Sequence, residues 1–275
     1  MSATVMIGAD LSPKWSLAIA MGLLIVLLGA PGIAQSPSGS GYLAGREPDT
    51  VSILPQAPGV GSARDTADRD IFRSTRALKT NAPERWALAR RDADVTIPDL
   101  LADFSCALDI QLDAASAPAL TALLRKLLPD MVATYSAPKD LYRRPRPYLR
   151  DEGDLCIGRS DALDKTFDYP SGHATFAWTV GLILTELAPE RAGALLARAR
   201  AFGESRAVCG VHSASAVAEA RTAGAALVAA LHGDAVFRAD VERARSELAA
   251  LRTHALKPKA DVCAAETALT RRSPW

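Results

Sequence analysis

Apolar residues recur at helical spacing along most of this chain, and no convincing run alternates with period two. Ala67, Ile71, Thr75 and Leu78 fall on one helix face. Pro83 opens a predicted helix through Ala93 that carries Trp86 and Ala89, and Pro98 opens another through Cys106. Ala117 to Ser136 predicts a long helix interrupted at Pro129. Helical pattern returns from Ser171 to Leu187, from Pro189 to about Ala207, and from Ser213 to Leu231. Asp234 can cap a further helix ending near Ala255, and a short one follows Pro258. Only 5% of residues are aromatic and 49% are hydrophobic, with Ala and Leu abundant. That composition favours helices over a sandwich of sheets. With no internal repeat or linker, the expected fold is all-α: a single compact helical domain over residues 63–275.

Two regions depart from this pattern before and within the domain. Lys14 precedes the apolar run Leu17 to Leu28, and Gly32-Ile33-Ala34 supplies small residues for cleavage before Gln35. The run has the length of a signal peptide core and is short for a membrane span, so residues 1–34 are expected to be a signal peptide. Residues 35–62 are rich in Ser, Gly and Pro and read as an extended N-terminal arm. Within the domain, Lys139 to Tyr169 is crowded with Arg, Asp, Pro and Gly and has no clear period. A long irregular loop in a compact domain is more often functional than idle. The formal net charge of +1 argues against nucleic acid or an acidic membrane surface as the main partner. Anion binding must therefore come from local clustering of charge.

Three segments supply such clustering. Lys139-Asp-Leu-Tyr-Arg-Arg-Pro-Arg146-Pro147 brings Lys139, Arg143, Arg144 and Arg146 close together on a backbone stiffened by proline. Guanidinium groups fork onto phosphate oxygens, while Lys acts as a compact point charge. Tyr169-Pro-Ser171-Gly172-His173 leads into an apolar helix. Ser171 can cap that helix, its exposed N–H groups suit an anion, and Gly172 permits close approach of the backbone. Gly203-Glu-Ser205-Arg206-Ala-Val-Cys209-Gly-Val-His212 adds another cation and a second histidine. Each segment alone is a weak signal.

Together they resemble the pattern Lys-x6-Arg-Pro, Pro-Ser-Gly-His, Ser-Arg-x5-His of the type 2 phosphatidic acid phosphatase superfamily, which includes vanadium haloperoxidases. Further stretches resemble its class A bacterial non-specific acid phosphatases: Ile71 to Leu78, Arg85 to Ala89, Asp92-Ala-Asp94, Phe104-Ser105 and Leu227 to His232. The likeness runs from about Tyr42 to Leu248. It implies an exported, periplasmic or secreted acid phosphatase acting on small phosphomonoesters and releasing inorganic phosphate. Lys139, Arg146 and Arg206 would hold phosphoryl oxygens with help from Ser171 and Gly172. His212 would attack phosphorus to give a phosphohistidine, and His173 would protonate the leaving alcohol. Neither metal nor organic cofactor is implied, because positioning and cationic charge can serve phosphoryl transfer. The resemblance also implies homo-oligomers. Once the signal segment is removed, no run of about 20 apolar residues remains, so no membrane association is expected. Two other readings share the cluster: a non-catalytic phosphate-binding relative and a vanadate-dependent haloperoxidase.

The pattern is one residue short. The family places an aspartate four residues after its nucleophilic histidine, where it fixes the tautomer of the ring. Here His212-Ser-Ala-Ser-Ala216 ends in alanine. In the Ser-His-Asp triad, spoiling the orienting carboxylate lowers turnover by ~10⁴. Weakened activity is therefore the expectation, raised by Ala216→Asp and abolished by His212→Ala. Glu219, Glu204, Ser213, Ser215 or a main-chain carbonyl are the substitutes within reach of the sequence reading. Cys106, Cys156, Cys209 and Cys263 allow three disulfide connectivities, or four free thiols. Cys156 with Cys209 is the favoured pair, since both flank site segments, which leaves Cys106 with Cys263.

Overall fold

The computed structural model describes residues 40–275. The signal segment and the first residues of the arm lie outside them. Among the described residues the regular structure is entirely helical: α1 (Thr50–Ile53), α2 (Ala63–Arg76), α3 (Leu78–Asn81), α4 (Pro83–Arg91), α5 (Ile97–Leu108), α6 (Pro118–Tyr142), α7 (Asp161–Asp164), α8 (Gly172–Leu187), α9 (Ala192–Val208), α10 (Ala214–Leu231), α11 (Ala235–His254) and α12 (Ala260–Thr270). The expected all-α fold is what forms.

Helix α8 sits at the centre because it is apolar nearly all round, as a helix enclosed by others must be. Helices α9, α10, α6 and α11 pack around it. Its crossing with α9 is close: a Cβ on Gly181 would lie 2.5 Å from that of Ala199. The main core joins Phe104, Leu124, Met131, Ile183, Phe202, Leu227 and Phe237, all fully buried. A smaller cluster of Phe72, Trp86, Tyr148, Val208 and Val211 lies beneath the loop that follows α6. Helix α10 has the length and apolar composition of a membrane span, but it turns Ala216, Val217, Ala220, Ala223 and Leu227 into the protein interior. Cys106–Cys263 ties α5 to α12, and Cys156–Cys209 ties the loop to the end of α9.

The predicted interruption at Pro129 does not occur. Helix α6 runs through both Pro129 and Pro138 to Tyr142, which moves Lys139 from the expected loop onto the last turn of a helix. Each proline frees the carbonyl four residues before it. For Pro129 that carbonyl belongs to the solvent-facing residue Arg125. For Pro138 it belongs to Thr134, which is fully buried, and the Thr50 hydroxyl of α1 donates to it at 2.7 Å. The arm is thus not a loose wrap. Its backbone N–H groups at Tyr42 and Leu43 donate to the buried Asp130 carboxylate at 2.7 and 3.1 Å, one helical turn earlier on α6.

Replacing Thr50 by the near-isosteric Val leaves the Thr134 carbonyl without its donor in a dry site. Urea unfolding of Thr50→Val should show a loss of about 1–3 kcal/mol, the cost of one buried unsatisfied polar group. A loss below about 0.5 kcal/mol would mean that the bond carries no weight.

Candidate active site

The four cations of the first segment separate by environment. Lys139, on the end of α6, donates from Nζ to the Phe167 carbonyl at 2.6 Å. Arg146 is buried and donates from Nε to Thr166 at 2.9 Å and from Nη1 to the Val211 carbonyl at 2.6 Å. Arg143 adopts the left-handed conformation that ends α6 and turns outward over Phe167. Arg144 points the other way, into a buried knot of carboxylates. Its Nη2 donates to Asp65 and Asp68 at 3.0 and 2.9 Å, and its Nη1 donates to Asp168 at 3.1 Å.

Ser171 is the N-cap of α8, as expected, and its hydroxyl accepts from the Ala174 N–H at 3.3 Å. Its own N–H donates to the Ala216 carbonyl at 3.0 Å, which fixes the start of α8 against the start of α10. Gly172 has a packing reason beyond any ligand: a Cβ there would come 3.1 Å from the Tyr135 ring. His173 follows on the first turn, and its Nε2 lies 3.0 Å from the Ala93 carbonyl. A neutral ring donating there carries its proton on Nε2, leaving Nδ1 as the basic atom.

Helix α9 ends in Arg206, which is 2% exposed, and its Nε and Nη1 donors are buried with no partner among the described residues. Ser205 has a structural task instead. Its hydroxyl bonds Asp92 at 2.6 Å, within a knot in which buried Arg198 pairs with Asp92, Asp103 and Glu266. That knot fixes Asp92, and with it the neighbouring Ala93 carbonyl that receives His173.

His212 stands in the short turn between α9 and α10 and is 3% exposed. Arg146 Nη1 lies 3.0 Å from its Nε2. An arginine can only donate, so Nε2 offers its lone pair and the ring proton sits on Nδ1. Nδ1 in turn lies 2.6 Å from the Asp168 main-chain carbonyl and 3.2 Å from the Asp168 Oδ1. Of the substitutes open to sequence reading, a main-chain carbonyl is therefore the one at the ring. Glu219 pairs with Arg64 and Glu204 with Arg200, while Ser213 and Ser215 bond Arg144, one step removed from the imidazole. Asp168 itself escapes a spacing argument, because it lies 44 residues before the histidine inside the irregular loop.

Burial, then the positive charges of Arg146, Lys139 and Arg206, hold the pKa of His212 well below the usual histidine range. Burial, then Arg206 and His212, do the same to His173. Burial, with Arg146 adding, pulls the ammonium of Lys139 down to about 7. The result is a buried, cation-rich site with two neutral imidazoles, an environment that an oxyanion would relieve.

The chain is similar to known proteins over most of its length. Residues 115–238 match the model of the PAP2 superfamily. An acid phosphatase of Zymomonas mobilis subsp. mobilis is 39% identical over 219 residues, 79% of this chain and 82% of that one. A non-specific acid phosphatase of Providencia stuartii is 33% identical over 207 residues, 74% of this chain and 82% of its own length. One of Salmonella typhimurium is 32% identical over 198 residues, 71% and 78% of the two chains. This chain belongs to the PAP2 superfamily, with its acid phosphatases. It is a phosphatase, and the matched region contains all seven residues expected at the site: Lys139, Arg146, Ser171, Gly172, His173, Arg206 and His212.

With Lys139 titrating near 7, lowering the pH from 8 to 6 adds a positive charge to the site. Sulfate, a dianion throughout that interval, should compete with substrate up to about tenfold more tightly at pH 6 than at pH 8. Lys139→Met should flatten the dependence. Inhibition constants independent of pH in the wild type would count against the lowered ammonium.

Proposed function

We propose that this enzyme is an exported acid phosphatase that hydrolyses small phosphomonoesters through a phosphohistidine on His212 Nε2. The observation that carries this reading is the orphaned Arg206 guanidinium. Two of its buried donors lack acceptors among the described residues, in a cluster where Arg146 also touches the Nε2 lone pair of His212. Each unsatisfied buried donor costs about 1–3 kcal/mol, and charged ones cost more. A phosphoryl group between Arg206, Arg146 and Lys139 would accept from all three and bring phosphorus to Nε2.

The chemistry then follows from the ring positions. Phosphoryl oxygens draw the Arg146 guanidinium off Nε2, and the Nε2 lone pair attacks phosphorus. The bond from phosphorus to the ester oxygen breaks, and its electron pair leaves with the alcohol. His173, protonated on Nδ1 in the presence of the phosphate charge, gives that proton to the leaving oxygen while Nε2–H stays on Ala93. Water next attacks the phosphoryl group, His173 takes its proton, and the phosphorus–nitrogen electrons return to His212 Nε2. Together Ser171 and Gly172 keep the α8 N-terminus open to the anion, where aligned N–H dipoles favour negative charge. Depressed histidine pKa values support work in acid, because His212 stays unprotonated and nucleophilic below the usual histidine range.

Export is supported by the composition of residues 1–34 and by the two disulfides, which persist in oxidising compartments. We place the mature protein in the periplasm or outside the cell.

The purified mature enzyme, assayed on an aryl phosphate from pH 4 to 8, should turn over substrate and, with phosphorus-labelled substrate and an alkaline quench, yield labelled phosphohistidine, whose phosphorus–nitrogen bond survives base and not acid. His212→Ala should lose at least about 10³-fold in kcat and all of the label. His173→Ala should lose more on alkyl than on aryl esters, since the better leaving group needs less protonation. A wild type that binds phosphate without turnover would sink the mechanism.

A further inference from the structure

One residue receives the inner side of the His212 ring. The Asp168 carboxylate is 1% exposed, and the donors it meets come from protein. Its Oδ1 accepts the Ser213 N–H at 2.9 Å and faces His212 Nδ1 at 3.2 Å. Its Oδ2 accepts the Ser213 hydroxyl at 2.6 Å and Arg144 Nη1 at 3.1 Å. The Asp168 N–H donates back to the Arg144 carbonyl at 2.8 Å, so main chain and side chain of the two residues lock together.

The charges of this knot do not balance. Arg144 contacts Asp65, Asp68 and Asp168, and Arg150 adds a second guanidinium on Asp65 at 2.6 Å. Three carboxylates therefore face two guanidiniums. Asp168 is the member that touches His212, and His212 is the neighbour whose charge changes during catalysis. When Nε2 bonds phosphorus while Nδ1 keeps its proton, the ring becomes positive. A fixed negative charge beside it, with both side chains buried and weakly screened, stabilises that state more than the neutral one.

We propose that Asp168 is the positioning residue of His212: its main-chain carbonyl keeps the ring in the Nδ1–H tautomer, and its carboxylate, held by Arg144 and Ser213, balances the positive charge of the phosphohistidine. This rests on the phosphatase reading above. The main-chain carbonyl of Asp168 makes the shorter contact and suffices to set the tautomer of the resting ring. A neutral dipole, however, gains less than a full charge does as the ring becomes cationic. The carboxylate should therefore act on kcat and leave ground-state binding nearly alone. It occupies the role from the loop before α8, and the residue at the first turn of α10, Ala216, has no need to supply it.

Asp168→Asn keeps the shape and the carbonyl while removing the charge. We expect kcat on an aryl phosphate to fall at least about 10²-fold, phosphohistidine formation in a single turnover to slow in parallel, and KM and the inhibition constant of inorganic phosphate to stay within about threefold. Ala216→Asp, adding a second carboxylate in the same region, should bring no gain. A folded Asp168→Asn enzyme with kcat within about threefold of the wild type would assign the task to the carbonyl and overturn the proposal. So would a loss confined to KM and phosphate binding, or an Ala216→Asp enzyme at least tenfold faster than the wild type. Should Asp168→Asn fail to fold, Arg144→Met with Asp68→Asn and Asp168→Asn removes the guanidinium with two of its carboxylates and leaves Asp65 on Arg150, and the same kcat criterion applies. A wild type that turns over no phosphomonoester overturns the phosphatase reading and this one with it, whereas an active wild type equalled by Asp168→Asn overturns this one alone.

Discussion

A guanidinium enclosed in protein must find carboxylates and hydrogen-bond acceptors in good geometry, because the solvation it has lost is worth several kcal/mol. Arg144 meets that constraint by drawing three other parts of the chain to its own position. Asp65 and Asp68 come from α2, Asp168 from the loop before α8, and Ser213 and Ser215 from the start of α10. His212 lies in the turn leading into Ser213, so it is placed by the same convergence. Breaking such a buried pair by removing one partner costs about 3–5 kcal/mol. The knot is consequently rigid, and rigidity is what an in-line attack on phosphorus requires.

A second buried arginine does the equivalent work on the other side of the site. Arg198 gathers Asp92, Asp103 and Glu266 from α4, α5 and α12, while Ser205 and Arg85 bond into the same group. This holds the end of α9, and hence Arg206, and it fixes the carbonyl that orients His173. The protein thus keeps two populations of buried cation. Arg144 and Arg198 each pair with three carboxylates and serve as struts. Arg146 and Arg206 face the histidines with few acceptors of their own, and they repel protons from both rings. The first population makes it feasible to hold the second in a strained electrostatic state.

The sequence was informative wherever the physics is local. A 3.6-residue apolar period marks α2, α8, α10 and α11, and capping residues such as Ser171, Ser213 and Asp234 mark their starts. The site residues were legible because their order and spacing match a family pattern, and the disulfide partners because they flank the same segments. What could not be read were long-range compensations. Pro129 and Pro138 look like breaks until the fate of the freed carbonyls is known, and one of those fates is a hydroxyl 84 residues away. Arg143, Arg144 and Arg146 look alike in a basic loop, yet one is exposed, one is a strut and one faces His212. The substitution at Ala216 reads as a loss because the residue at the histidine ring, Asp168, belongs to a stretch with no periodicity to interpret.

The bond between Thr50 and the Thr134 carbonyl also has a temporal side. The arm leaves the ribosome and crosses any membrane ahead of the helix it must dock on. Its acceptors, Asp130 and Thr134, arrive more than 80 residues later. Until then the last turns of α6 lack the support that carries the helix past Pro138 to Lys139. Closing contacts across such long stretches of chain is slow, since loop entropy is lost before the contact rewards it. The lysine of the phosphate site is therefore among the features expected to assemble late, and a nascent chain would hold the fold in outline before it could grip an anion.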